Sequence, residues 1–140
     1  MQRYLLIATL AVSAPALAAD PINSMKAAQE ALATAGYTEV RDVELDDGLW
    51  EAEVRGDDGK FRDVHIVPAT GTILDAQLGG PIRTAEEIMS LLESKGFNNI
   101  RELDLDDAVW EADATAPDGA SVELRINGFD GEILATEHDD

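Results

Sequence analysis

The chain is 140 residues long and carries 29 Asp and Glu against 10 Lys and Arg, a formal net charge of −19. That excess argues against nucleic acid and anionic membrane surfaces as partners, since both carry the same sign, and leaves cations or basic proteins. The absence of cysteine excludes disulfides, thiol catalysis and thiolate metal sites.

Residues 1–18 read as a secretory signal. Arg3 supplies a basic start, Leu5 to Val12 an apolar run, and Ala16-Leu17-Ala18 a small-x-small cleavage pattern. The run is shorter than the roughly 20 residues that span a bilayer. The expectation is therefore cleavage after Ala18 and a periplasmic product with no membrane association afterwards. About 120 residues remain, enough for one ordinary domain or two minimal ones.

Those residues are a tandem repeat, 21–80 and 81–140, without a gap. Leu45-Asp46-Asp47-Gly48-Leu49-Trp50-Glu51-Ala52 returns sixty residues later as Leu105-Asp106-Asp107-Ala108-Val109-Trp110-Glu111-Ala112. Each copy opens with Pro-Ile and a helix N-cap, Ser24 or Thr84, and Glu87 completes a capping box in the second. Gly36 and Gly96 stand where a helix C-terminus needs a left-handed residue. Between the caps, Ala28, Ala31 and Leu32 match Ile88, Leu91 and Leu92, one apolar stripe at i, i+3, i+4.

Period-2 alternation follows each helix. Asp47-Gly48 suits a two-residue type I′ turn, and pairing outward from it sets Leu45 opposite Trp50 and Val43 opposite Ala52 on an inner face. The outer face then pairs Glu44 with Glu51 and Asp42 with Glu53. In the second copy Leu105 meets Trp110 and Leu103 meets Ala112 inside, while Asp104 meets Glu111 and Glu102 meets Asp113 outside. Ala108 replaces Gly48, and a Cβ is unfavourable at positive φ, so a different turn is expected there. A third strand follows Asp58-Gly59 and Asp118-Gly119, and a fourth follows Thr70-Gly71 and Asp130-Gly131. The fold class is α+β: two tandem copies of one helix packed on a four-stranded antiparallel meander. Trp50 and Trp110 belong to the core.

These motifs carry a resemblance. The order helix, Gly36-Tyr37 or Gly96-Phe97, an acidic hairpin ending Trp-Glu-Ala, Asp-Gly, then Pro68-Ala-Thr-Gly-Thr-Ile-Leu74 resembles the PepSY domain over nearly the whole chain after the signal, as two copies. The second departs at Gly128-Phe129-Asp130-Gly131, which lacks the Pro and Thr of the fourth-strand turn. PepSY domains occur in propeptides of thermolysin-type metalloproteases and in exported or membrane proteins, with a proposed inhibitory or regulatory role toward peptidases. The resemblance thus implies a binding module whose partner is a peptidase or another basic-surfaced envelope protein. It carries over no active-site residue.

The chemistry of the residues points the same way. His65 and His138 are the imidazoles, and Arg125 stands at the position of His65 in the second copy, so no histidine belongs to the shared design. With no phosphate loop and no two-histidine metal spacing, neither enzymatic activity nor a cofactor is expected. The outer face is the feature above background. Opposed like charges destabilise by a few tenths of a kcal/mol each, yet both copies keep them. A three-residue loop at Asp57-Asp58-Gly59 sets His65 beside Glu51 and Arg125 beside Glu111. Candidate partner-binding residues are Asp42, Glu44, Glu51, Glu53, His65, Glu102, Asp104, Glu111, Asp113 and Arg125. The alternatives are a plain solvated face and an envelope protein binding calcium or another hard cation. Asp104, Asp106 and Asp107 form a fragment of a calcium loop but lack a later bidentate Glu.

Overall fold

The computed structural model describes residues 21–139; the expected signal, residues 1–18, lies outside them. The first repeat runs α1 (Met25–Thr34), β1 (Glu39–Asp46), β2 (Leu49–Arg55), β3 (Phe61–Ile66) and β4 (Ile73–Leu74). The second runs α2 (Ala85–Ser94), β5 (Asn98–Asp106), β6 (Val109–Thr115), β7 (Ser121–Asn127) and β8 (Ile133–His138). Each helix precedes a four-stranded antiparallel sheet, ordered β1-β2-β3-β4 and β5-β6-β7-β8. No helix among the described residues is long and apolar enough to cross a membrane.

The helices form where their caps and stripes put them. The Ser24 side chain accepts from the Ala27 N–H, and Thr84 with Glu87 makes the reciprocal capping box. Gly36 and Gly96 end the helices at φ 102° and 92°. The stripes bury Ala28 and Leu32, and Ile88 and Leu92, on the inner sheet faces. There α1 covers Trp50, Ala52, Val54, Val64 and Ile66, and α2 covers Ala112, Ala114, Val122, Leu124 and Ile126.

A third apolar cluster joins the repeats. Leu49 and Leu74 of the first pack with Ala108 and Val109 of the second, flanked by Val67, Ile82, Phe129 and Leu134. Leu49 and Val109 lie on the same faces as Glu51 and Glu111, because side chains alternate along a strand. The outer faces of the two sheets therefore meet, and the layers run helix, sheet, sheet, helix. At roughly 1.5–3 kcal/mol for each fully buried Leu or Val, this seam makes the repeats energetically dependent on each other.

The hairpin register holds near the turns and fails beyond them. Leu45 faces Trp50 and Glu44 faces Glu51, but the next pair is Arg41 with Glu53. Asp42 and Val43 together oppose Ala52 in a β-bulge, with Asp42 at φ 53°. The second copy bulges alike: Glu102 sits at φ 51° and Arg101, not Glu102, faces Asp113. The expected pairs Asp42–Glu53 and Glu102–Asp113 are thus corrected, while Val43 and Leu103 keep the inner face with Ala52 and Ala112. The bulge exchanges one like-charge pair per copy for an attractive one, and Arg41 bonds Glu53 directly. Leu45 and Leu105 keep their places opposite Trp50 and Trp110 but are 57% and 45% exposed and so are not core residues.

The turns differ as the alanine predicts. Asp47 and Gly48 both adopt positive φ, 43° and 85°, whereas in the second copy Asp107 does so at 51° and Ala108 does not. A Cβ on Gly48 would also come within 3.0 Å of the Ala135 Cβ across the seam. Gly48→Ala is expected to cost about 1–2 kcal/mol. Ala108→Gly should gain nothing, because it removes a fully buried methyl and adds unfolded-state freedom. Denaturant melts check both, and a Gly48→Ala protein as stable as the parent would show that the turn escapes its left-handed geometry.

Candidate functional site

The meeting of the two acidic faces concentrates charge in the seam. Glu51 projects from the middle of β2 and faces His65 on β3; Glu111 on β6 faces Arg125 on β7, as the three-residue loops require. Strand alternation turns all four side chains into the seam, and the 46–47 and 106–107 turns bring carboxylates from the opposite repeat. Arg125 Nη2 lies 2.7 Å from Glu111 Oε1, 3.3 Å from Asp46 Oδ2 and 3.8 Å from Asp47 Oδ2. Its Nη1 donates to Glu51 Oε1 at 3.1 Å and to the Asp46 carbonyl at 3.2 Å. His65 Nε2 lies 3.2 Å from Glu51 Oε1 and 3.4 Å from Asp106 Oδ2.

The solvated outer face expected from the charge pattern is corrected at its centre. His65 is 1% exposed and Arg125 3%, so each reaches the surface only through the carboxylates it pairs. The physical reason is compensation across the seam, where acids from both repeats surround one guanidinium and make its burial tolerable. His65 opens onto a cleft of about 240 Å³ that Asp42, Glu44, Glu51, Glu53, Asp63 and Asp106 line. Glu102, Asp104, Glu111 and Asp113 are not part of that lining. Of the calcium-loop fragment, Asp106 reaches the cleft.

Proton affinities register the crowding. Burial first, then repulsion from Asp106 and Asp63, pushes the Asp107 carboxyl up to about 6. Burial and the neighbouring carboxylates likewise raise Asp63 and Glu123, and Glu111 is raised by burial although Arg125 opposes the shift. Burial lowers the affinity of Arg125, but Glu111, Glu51 and Asp46 more than offset it, so the guanidinium stays charged.

Sequence reasoning missed a second polar constellation. Asp75, 3% exposed, accepts a short hydrogen bond from the Tyr37 hydroxyl and a two-pronged pair from Arg62, whose Nε and Nη2 lie 2.9 and 2.7 Å away. Its Oδ1 also accepts from the Gln77 N–H at 2.9 Å. In the second copy these positions are Phe97, Val122 and Ala135, all apolar. The concerted difference is the available signal, because a Tyr, an Arg and an Asp absent together from one copy belong together in the other. The consequence is topological. Asp75 ends β4 after two residues and turns the chain toward the second repeat, whereas Ala135 lets β8 run six residues, to His138.

The model for the peptidase propeptide and YPEB domain, PepSY_2, matches residues 3–77 and again residues 82–137. The chain belongs to the PepSY family. No curated protein and no solved structure is matched. The two PepSY copies coincide with the two helix-and-sheet units, so the seam, with His65 and Arg125 at its centre, is formed between PepSY repeats.

Proposed function

We propose that this PepSY protein is an exported, non-enzymatic binding module that engages a basic-surfaced envelope protein, a peptidase in the first place, by surface contact. One observation carries the reading. At the same position of both repeats a leucine, Leu45 or Leu105, is held about half exposed beside carboxylates. An apolar spot in a charged rim is the anatomy of a protein-binding surface. In the first repeat Leu45 borders a groove of about 460 Å³ lined by Pro21, Ile22, Trp50 and Pro68, and Glu44 and Asp46 flank it along β1. The family description names peptidase propeptides, which supports a peptidase as the occupant.

The test uses the chain without residues 1–18, immobilised against an envelope extract and against a purified thermolysin-type metallopeptidase. Binding is expected to weaken as salt rises, because the rim charges are exposed, and to be lost in a Leu45→Ser/Leu105→Ser variant and in an Asp42→Asn/Glu44→Gln/Glu102→Gln/Asp104→Asn variant. A partner held equally well by both variants would overturn the surface assignment.

A further inference from the structure

The seam has an approximate twofold symmetry that its charges do not obey. Each repeat places a side chain on its third strand between a glutamate of its own second strand and an aspartate from the other repeat's first hairpin. In one set Arg125 sits between Glu111 and Asp46; in the matched set His65 sits between Glu51 and Asp106. The position calls for a cation in both. One repeat builds the cation into the chain, and the other supplies a metal ligand.

We propose that Glu51, His65 and Asp106 bind a divalent first-row metal ion of the zinc type across the seam. The cleft shares Asp42 and Glu44 with the partner surface proposed above, but none of the three ligands is substituted in the test of that surface. His65 Nε2 is 3.2 Å from Glu51 Oε1 and 3.4 Å from Asp106 Oδ2, and all three ligand atoms lie within 4.8 Å of one another. Around an ion with ligands at about 2.0–2.2 Å, tetrahedral ligand atoms stand about 3.3–3.6 Å apart, so closing on the ion needs only small side-chain movement. Imidazole with two carboxylates favours zinc, manganese or iron over calcium, which prefers six to eight oxygens.

The surroundings fit a cation as well. The imidazole is 1% exposed and aims Nε2 at the carboxylates, while Nδ1 has no partner among the described residues. Of the two nitrogens, only Nε2 therefore has anything to bind. Asp42, Glu44, Glu53 and Asp63 line the same cleft and leave room for water at a fourth position. Among the described residues, Arg125 is the one fixed positive charge in contact with the set, through Glu51 Oε1 at 3.1 Å. Its own contacts with Asp46, Asp47 and Glu111 offset that charge.

Metal-stripped protein titrated with zinc chloride in a calorimeter should bind one ion per chain with micromolar affinity, and calcium should bind far more weakly. In a long-range proton–nitrogen spectrum zinc should shift Nε2 of His65 and leave the ring of His138 unmoved. Asp106→Asn should weaken binding at least about tenfold, since even residues behind a metal's ligands contribute 10–100-fold. The deciding variant is His65→Arg, which copies the arrangement around Arg125. It should fold, lose zinc binding, and no longer gain thermal stability from added zinc. Zinc bound unchanged by His65→Arg, a shift at His138 alone, or no heat at micromolar zinc would each overturn the proposal.

Discussion

Trp50→Ala is expected to cost about 3–5 kcal/mol, a large share of what a domain of this size has to lose. Trp50 is 8% exposed, fills the core beneath α1, and donates its indole N–H to the Ile22 carbonyl at 2.8 Å. Truncation opens a cavity and strips that carbonyl of its partner. Trp110 makes a similar bond, to the Arg83 carbonyl at 3.0 Å, but is only partly buried, so Trp110→Ala should fall at the low end of the range. Each variant keeps one tryptophan as a reporter in the untouched repeat. Because Leu49, Leu74 and Val109 join the repeats, the Trp110 fluorescence midpoint in Trp50→Ala should fall together with the far-UV circular dichroism midpoint. A loss below about 1 kcal/mol would remove Trp50 from the core, and a Trp110 midpoint that stays put would show that the repeats unfold independently.

Asp75→Ala is the second large effect, expected at about 3 kcal/mol, since removing one partner of a buried ion pair strands the other. Arg62 would lose its two-pronged acceptor, Tyr37 its hydroxyl acceptor, and the Gln77 N–H its cap. The second repeat provides the control. The triple change Tyr37→Phe, Arg62→Val, Asp75→Ala installs the residues found at 97, 122 and 135 and should recover part of the loss, because no guanidinium or hydroxyl is then left without its partner. A triple variant no better than the single one would mean that the network is needed for the chain to leave β4.

Asp75 also gives a pH signature. Burial alone would raise its pKa, but hydrogen bonds from Arg62, Tyr37 and the Gln77 N–H more than offset it, so the folded value lies below the ordinary carboxylate range. A depressed folded pKa means stability that is present above the unfolded value, near 3.9, and lost as pH falls through the folded one. Stability of the parent should therefore decline below about pH 4 more steeply than that of the triple variant. Parallel acid limbs would assign the acid loss elsewhere. The Tyr37 hydroxyl, partly buried and bonded to Asp75, is pushed up to about 12 and stays neutral throughout.

What the sequence by itself determined is whatever neighbours along the chain decide. Ser24, Thr84 and Glu87 start the helices, Gly36 and Gly96 end them, and period-2 alternation with two short loops places His65 opposite Glu51 and Arg125 opposite Glu111. Sixty-residue self-similarity fixed two copies of one unit, since whatever folds one folds the other. The bulges at Asp42 and Glu102 were not legible, because an extra residue changes the register without changing the composition of the strand. Nor was it legible what covers the second face of each sheet. Alternation shows that a face is acidic, and an isolated acidic face prefers water. The apolar Leu49 and Val109 on those same faces were the available signal. Only the tertiary structure sets one acidic face against the other. Arg125 meets Asp46 79 residues away, and carboxylates drawn from two repeats make burial of the guanidinium tolerable in a way no local spacing encodes.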